Sequence, residues 1–252
     1  MALRKIKVDD KEFEIHYDII NPSKQKNIIF LHGWGSNKEI MKVFSENFKE
    51  FRHTYIDMPG FGKSPNPYVL TTKDYAKIID EFLKELNIKK DIIVGHSFGG
   101  KVATLLKPEL LVLLASAGIV MPKPISVRVK IKTYKLLKSL GLSKFRKFFI
   151  SADAKGMSEN MYETFKNVVD EDFSDVFRNY NGKVLIFGGE EDTAVPPEAV
   201  KKQGELLKSK VIMLSGNHYF FFNSPNIEGA RENRGIVEKE IKSKIFETSK
   251  NF

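Results

Sequence analysis

The stretch IIVGHSFGGKVATLL, Ile92–Leu106, admits two readings that lead to different proteins. Read as Gly95-x-x-x-x-Gly100-Lys101 it nearly spells a phosphate-binding loop, and the chain would bind a nucleotide. Read as Gly95-His96-Ser97-Phe98-Gly99 it spells a nucleophile elbow, and the chain would transfer acyl groups. Both need a strand, a tight turn and a helix. A phosphate loop also needs Ser or Thr after the Lys, because that hydroxyl binds magnesium. Here the next residue is Val102. A second near match, Gly62-Lys63-Ser64 in DMPGFGKS, has Asp57 where the first glycine belongs. The elbow needs small residues two before and two after the serine, so that the backbone bends and lifts the hydroxyl above the sheet. Gly95 and Gly99 fill both places. Asp91–Val94 reads as a buried strand, and Lys101–Leu106 as a helix stopped by Pro108. On the elbow reading Lys101 becomes an early helical residue with a solvated tip.

A serine is inert without a base, and the chain has five histidines. His16 falls in an N-terminal hairpin and His53 in a polar connection before a strand. His96 adjoins the nucleophile, but neighbours on a tight turn point in different directions. His32 follows a strand and precedes glycines, which suits a shaping role or the pocket wall. His218 remains, in Ser215-Gly216-Asn217-His218 just after the last strand, at the sheet edge where ligands bind. The base needs a carboxylate to fix its tautomer. Gly188-Gly189-Glu190-Glu191-Asp192 follows the preceding strand, and Asp192 is the choice, with Glu191 a rival. The order Ser97, Asp192, His218 is that of one known triad arrangement. For the developing oxyanion, one amide should come from Phe98, after the nucleophile. The other should come from Trp34 in His32-Gly33-Trp34-Gly35, after an early strand.

The rest of the chain supports an α/β reading. Leu3–Val8 and Glu12–Ile19 look like a hairpin. Short apolar runs at Ile28–Leu31, Thr54–Ile56, Ile92–Val94, Leu110–Ala115, Val184–Phe187 and Val211–Leu214 suit strands buried on both faces. Helical patterns alternate with them at Thr72–Leu86, entered through a Thr71/Asp74 capping box, at Glu198–Leu207 and at Ile236–Ile245. A further helical start near Ser224-Pro225 is broken around Gly229. The interval 119–181 interrupts the alternation and reads as an inserted helical cap, leaving 1–118 and 182–252 as the core. Ile131, Tyr134, Phe145 and Phe149 of the cap, with Tyr219, are candidate pocket residues. Leu137 and Phe148 join them, and Phe220, Phe221 and Phe222 either wall the site or seal the sheet edge.

Composition bounds the alternatives. The 252 residues carry 42% hydrophobic and 29% charged side chains, with no apolar run near the ~18 residues of a membrane span. No apolar leader opens the chain, so a cytoplasmic protein is the simplest expectation. The absence of cysteine excludes disulfides, thiolate metal sites and a Cys nucleophile. The net charge is +9, and residues 121–150 hold nine Lys/Arg and no Asp/Glu. With no nucleic-acid motif beside it, that run reads as a solvated helical face.

Four motifs together carry a resemblance. HGWG at 32–35, DMPGFGKS at 57–64, GHSFGG at 95–100, and GGEEDTAVPP with GNHYFFFNSP at 188–197 and 216–225 resemble the α/β-hydrolase superfamily. The resemblance runs end to end apart from the cap, and is nearest to small capped esterases, carbon–carbon-bond hydrolases and proline-iminopeptidase-like enzymes. It implies an eight-stranded, mostly parallel sheet flanked by helices, a lid over the triad, a small-molecule substrate and no cofactor or metal. Members that open epoxides or remove halides carry Asp at the nucleophile position, so Ser97 disfavours those reactions. Asn217 stands where the family usually has Gly, and the link from Phe98 to Glu109 is short for the family. The expected activity is a serine hydrolase that cleaves an ester, thioester, amide or activated carbonyl through an acyl-enzyme on Ser97, most simply of carboxylesterase type. An acyltransferase on the same triad, or a weakly catalytic ligand-binding member, remains open. So do the substrate and the oligomeric state.

Overall fold

A computed structural model describes residues 1–121, 156–222 and 229–249. Eight strands form one sheet in the order β1-β2-β4-β3-β5-β6-β7-β8. They are β1 Ala2–Val8, β2 Lys11–Ile20, β3 Asn27–Leu31, β4 Arg52–Ile56, β5 Ile92–His96, β6 Leu110–Leu114, β7 Lys183–Gly189 and β8 Val211–Leu214. β2 runs antiparallel to both β1 and β4, and the pairs from β4 through β8 are parallel. The α/β-hydrolase fold expected from the motifs is therefore present.

The continuous apolar runs become central strands because each face meets a separate core. Ile29, Leu31, Ile93, Leu111, Leu113 and Ile186 point into one cluster, and Ile28, Phe30, Ile92, Val94, Val112 and Phe187 into the other. Alternation within an all-apolar strand is what burial on two sides demands. The first cluster is completed by α2 (Thr72–Glu85), α3 (Phe98–Leu106) and α6 (Pro197–Leu207). The second is completed by α1 (Lys38–Met41), a 3-10 turn (Lys42–Phe44) and α7 (Ala230–Ser249). In α2 the capping box forms as expected, Thr71 and Asp74 each satisfying the other's amide. Its Tyr75, Ile78, Ile79, Phe82 and Leu83 are buried, each contributing roughly 1.5–3 kcal/mol relative to exposure.

Several expectations change. α7 begins directly after Gly229 and runs unbroken through Ile236, six residues earlier than the periodicity suggested. His53 lies within β4 and not before it. It is fully buried, with its ring bonded to Tyr55 Oη and Phe48 O, because the strand takes in two more residues than its apolar run. Phe220 and Phe221 are fully buried in the second core, and Phe222 packs against it. They seal the sheet.

Of the interval expected as a cap, residues 119–121 and 156–181 are described. There it holds α4 (Glu159–Val168) and α5 (Ser174–Arg178). Ile131, Tyr134, Leu137, Phe145, Phe148 and Phe149 lie outside the described residues. α4 packs over the loops at the strands' carboxyl ends: Thr164 accepts the Leu70 amide, and Phe165 packs against Trp34 with ring centroids 5.4 Å apart.

Candidate active site

The chain leaves β3 to form β4 on one side, then returns to form β5 on the other side of β3. The carboxyl ends of β3 and β5 therefore diverge at a switch point, the usual crevice of an open α/β sheet. Ser97 follows β5 there, with φ 51° and ψ −116°. A non-glycine residue in this region stores on the order of 1–3 kcal/mol of strain. The surroundings fix it. Its N–H donates to Leu114 O on β6, and its carbonyl accepts from the amides of Gly100 and Ala117. The bend brings backbones together so closely that a Cβ on Gly95 would lie 2.5 Å from Gly99 O, and one on Gly99 2.5 Å from Leu31 O. The small residues flanking the serine are thus demanded by close approach.

The loop after β7 carries Asp192. Asp192 is buried, and its Oδ1 accepts from the amides of Ala194 and Val195, both at 2.8 Å. That leaves Oδ2 aimed at His218 Nδ1, 2.7 Å away. A carboxylate oxygen can only accept, so Nδ1 carries a proton, and in the neutral ring the lone pair is therefore on Nε2. Glu190 and Glu191 are exposed, and their amides are spent on Leu214 O and Gly216 O, which pins this loop to the one after β8. The His218 loop is also tied to the elbow: His96 Nε2 donates to the His218 carbonyl at 3.0 Å, and the two imidazoles lie 4.6 Å apart. Tyr219, half-buried, closes the group 5.1 Å from His96 and 5.3 Å from His218.

The loop after β3 completes the crevice. A turn closed by Ser36 N–H to Gly33 O places Trp34 at its first corner, where the turn makes no use of the Trp34 amide. Phe98 opens α3, so its amide has no acceptor within the helix. The Trp34 ring packs edge-on against Phe61 and Phe98.

His32, expected to shape the loop or wall the pocket, has no exposed surface. Its Nε2 accepts the Met58 amide and Nδ1 donates to Gly33 O. Burial pushes its pKa down to about 4, only partly offset by the Gly33 contact and the Asp57 charge. Its ring fastens the start of the Trp34 loop to the chain after β4. Asp57 fastens the other end: its carboxylate accepts from Lys38 N–H and Nζ, at 2.8 and 2.9 Å, and from the Lys63 amide. Lys38 and Asp57 are both buried. The DMPGFGKS motif is thus a brace for this loop. Asp57 was visible in that motif, whereas nothing in the sequence distinguishes Lys38 from any surface lysine.

Lys101 also departs from expectation. Its tip is not solvated: the residue is 1% exposed, and Nζ donates to Val168 O at 2.5 Å and pairs with Glu171 at 3.2 Å. The segment after α4 folds over α3 and covers it, and this desolvation lowers its pKa, with Glu171 opposing. Beside the Asp192 loop a recess of about 270 Å³ opens between Ala117–Met121, Val169–Glu171 and Ala194–Pro196. Among the described residues, no group of His, Asp and Glu is arranged to hold a metal ion, and no helix is long and apolar enough to cross a membrane.

The family model described as the alpha/beta hydrolase family matches residues 28–231. The chain belongs to the alpha/beta hydrolase family. A putative esterase/lipase of Mycoplasma pneumoniae is 34% identical over 93 residues, which is 34% of each chain. A second from the same organism is 27% identical over 159 residues, 56% of this chain and 54% of the relative. A 2-succinyl-6-hydroxy-2,4-cyclohexadiene-1-carboxylate synthase of Citrobacter koseri is 35% identical over 78 residues, 31% of each. The match thus spans about a third to a half of these curated relatives. Among solved structures, a thermophilic esterase from Thermogutta terrifontis superposes with a TM-score of 0.71 at 17% identity, over 96% of this chain and 99% of that one. An esterase from Exiguobacterium antarcticum gives 0.69 at 20%, over 92% and 96%. At these identities the two structures speak for the fold alone.

Proposed function

We propose that this alpha/beta hydrolase is a serine hydrolase of carboxylesterase type, acting on a small-molecule acyl substrate from the crevice at the ends of β3, β5, β7 and β8. The observation that carries the reading is the Asp192–His218 bond at 2.7 Å, with the other carboxylate oxygen held by two amides. In the neutral ring that bond puts the lone pair on Nε2, on a loop tied to the serine elbow through His96. Relatives named as esterases and lipases support the same chemistry.

In this mechanism His218 Nε2 takes the Ser97 proton as Oγ attacks the substrate carbonyl. The amides of Trp34 and Phe98 receive the oxyanion. His218 then gives its proton to the leaving alkoxide, and an alcohol departs from the acyl-enzyme. Water attacks next, its proton passing through His218 back to Ser97 as the acid is released. Asp192 stays ionised and stabilises the imidazolium while it exists. Phe165 of α4, packed against Trp34, forms one wall of the crevice.

A chain-length series of p-nitrophenyl esters tests the reading. Turnover is expected with at least one acyl length. Ser97→Ala should lower kcat by about 10⁴-fold or more, as loss of a triad nucleophile does elsewhere. Ester hydrolysis that persists in Ser97→Ala would remove the assignment.

A further inference from the structure

His96 lies in the elbow itself, yet the mechanism above gives it no part. Its side chain is fully buried. One ring nitrogen, Nε2, faces the carbonyl oxygen of His218 at 3.0 Å. A carbonyl can only accept, so Nε2 carries the proton. The other, Nδ1, is buried without a hydrogen-bond partner. It is pressed under the Trp34 loop, where a Cβ on Gly33 would lie 3.0 Å from Nδ1 and 3.1 Å from Ser97 Cβ. The ring also packs against Tyr219 and, edge-on, Phe221. A single imidazole thus touches all three loops that would have to act together: the elbow, the base loop and the oxyanion loop.

We propose that His96 is a positioning residue, a neutral imidazole whose Nε2–H holds the backbone of His218 in register with Ser97 while its bare Nδ1 seats Gly33 beside both. The inference rests on the Ser97–His218–Asp192 reading but concerns a residue outside that triad. Neutrality belongs to the device. His218 must gain a proton during the reaction, and a second cation 4.6 Å away would oppose that gain. The titratable groups around His96 are His218 and Tyr219 from the loop after β8 and His32 from the end of β3. Burial, first, and then the neighbouring imidazoles hold the His96 pKa well below that of an ordinary histidine. Protonation would also place an N–H at Nδ1, where the described residues offer no acceptor.

Two measurements test this. The first compares His96→Phe, which keeps an aromatic ring but has no N–H, with His96→Gln, whose amide nitrogen can take the place of Nε2. Losing one hydrogen bond should lower kcat about five- to ten-fold in the Phe variant with KM nearly unchanged. Gln should recover most of the loss. A Phe variant as active as the parent, or a Gln variant as impaired as Phe, would overturn the proposal, because packing alone would then account for the residue. The second uses the parent protein and so does not depend on any variant folding. Imidazole ¹⁵N spectra should show His96 as the neutral Nε2–H tautomer from pH 5.5 to pH 8. An Nδ1–H tautomer, or titration within that range, would overturn the inference. A parent with no esterase activity would remove the proposed function, and the tautomer measurement would still decide the contact.

Discussion

At the scale of single residues, the serine is held by what its neighbours lack. Gly99 has no Cβ, and one placed there would meet the backbone oxygens of Leu31 and His32 at 2.5 and 2.6 Å. Neither oxygen belongs to a flexible side chain, so neither can yield. Gly99→Ala is therefore expected to destabilise the fold by about 3 kcal/mol and to spread the crevice between β3 and β5. Urea unfolding measures the first effect and loss of ester turnover the second. Ser97, Asp192 and His218 could be singled out in the sequence because each sits in a short loop following a strand, where a polar residue near glycines has few other uses. The deciding feature for Asp192 over Glu191, two amides on one carboxylate oxygen, exists only in three dimensions. His96, Lys38 and Lys101 were misread or passed over for one reason. Their roles depend on partners between nineteen and 122 positions away, and no local pattern encodes such a partner.

At the scale of elements, strands were easier to read than the pieces that cover them. The all-apolar runs located β3 and β5–β8 to within about two residues because a strand buried on both faces leaves no room for polar side chains. α4 and α5 were less distinct, since their buried faces are narrow: Met161, Thr164 and Val168 in the one, Phe177 in the other. Long-range polar ties hold this region down. Lys101 of α3 caps the C-terminal carbonyl of α4 at Val168, and Glu171 accepts from both Lys101 and Thr72 of α2. Lys101→Met removes the cation and leaves Glu171 with half its support. The expected cost is about 1–3 kcal/mol, the usual penalty for leaving a buried polar group unmatched, here the Val168 carbonyl. The loss should be local. Hydrogen exchange should quicken across 159–178 while β5 and β6 stay protected. Uniform exchange in all elements would show that Lys101 merely supports global stability.

At the scale of the whole molecule, the two cores on either side of one sheet make stability a shared property, so a buried histidine is felt throughout. The His32 pKa is lowered to about 4 in the folded state, against about 6.5 for a free imidazole. A depressed histidine contributes fully above its unfolded value, and its contribution is lost as pH falls toward the folded one, because the unfolded chain binds the proton more readily. Between pH 7 and pH 5 this one residue should remove about 2 kcal/mol of unfolding free energy. His96 is shifted in the same direction and adds to the slope. The carboxylates whose pKa values are lowered, among them Asp18 and Asp80, titrate below this window and do not confuse it. Urea titrations at the two pH values measure the loss, and His32→Gln should flatten the slope. An unchanged slope in that variant would mean that folding does not lower the His32 pKa.

All three scales meet in one claim, that Ser97 is a nucleophile made reactive by the fold. Intact-mass and peptide analysis after treatment with a fluorophosphonate tests it most directly. The account predicts a single adduct on Ser97 in the native protein, slowed strongly by His218→Ala and abolished by unfolding in urea. An unmodified Ser97, an adduct on another residue, or equal labelling of the unfolded chain would contradict it.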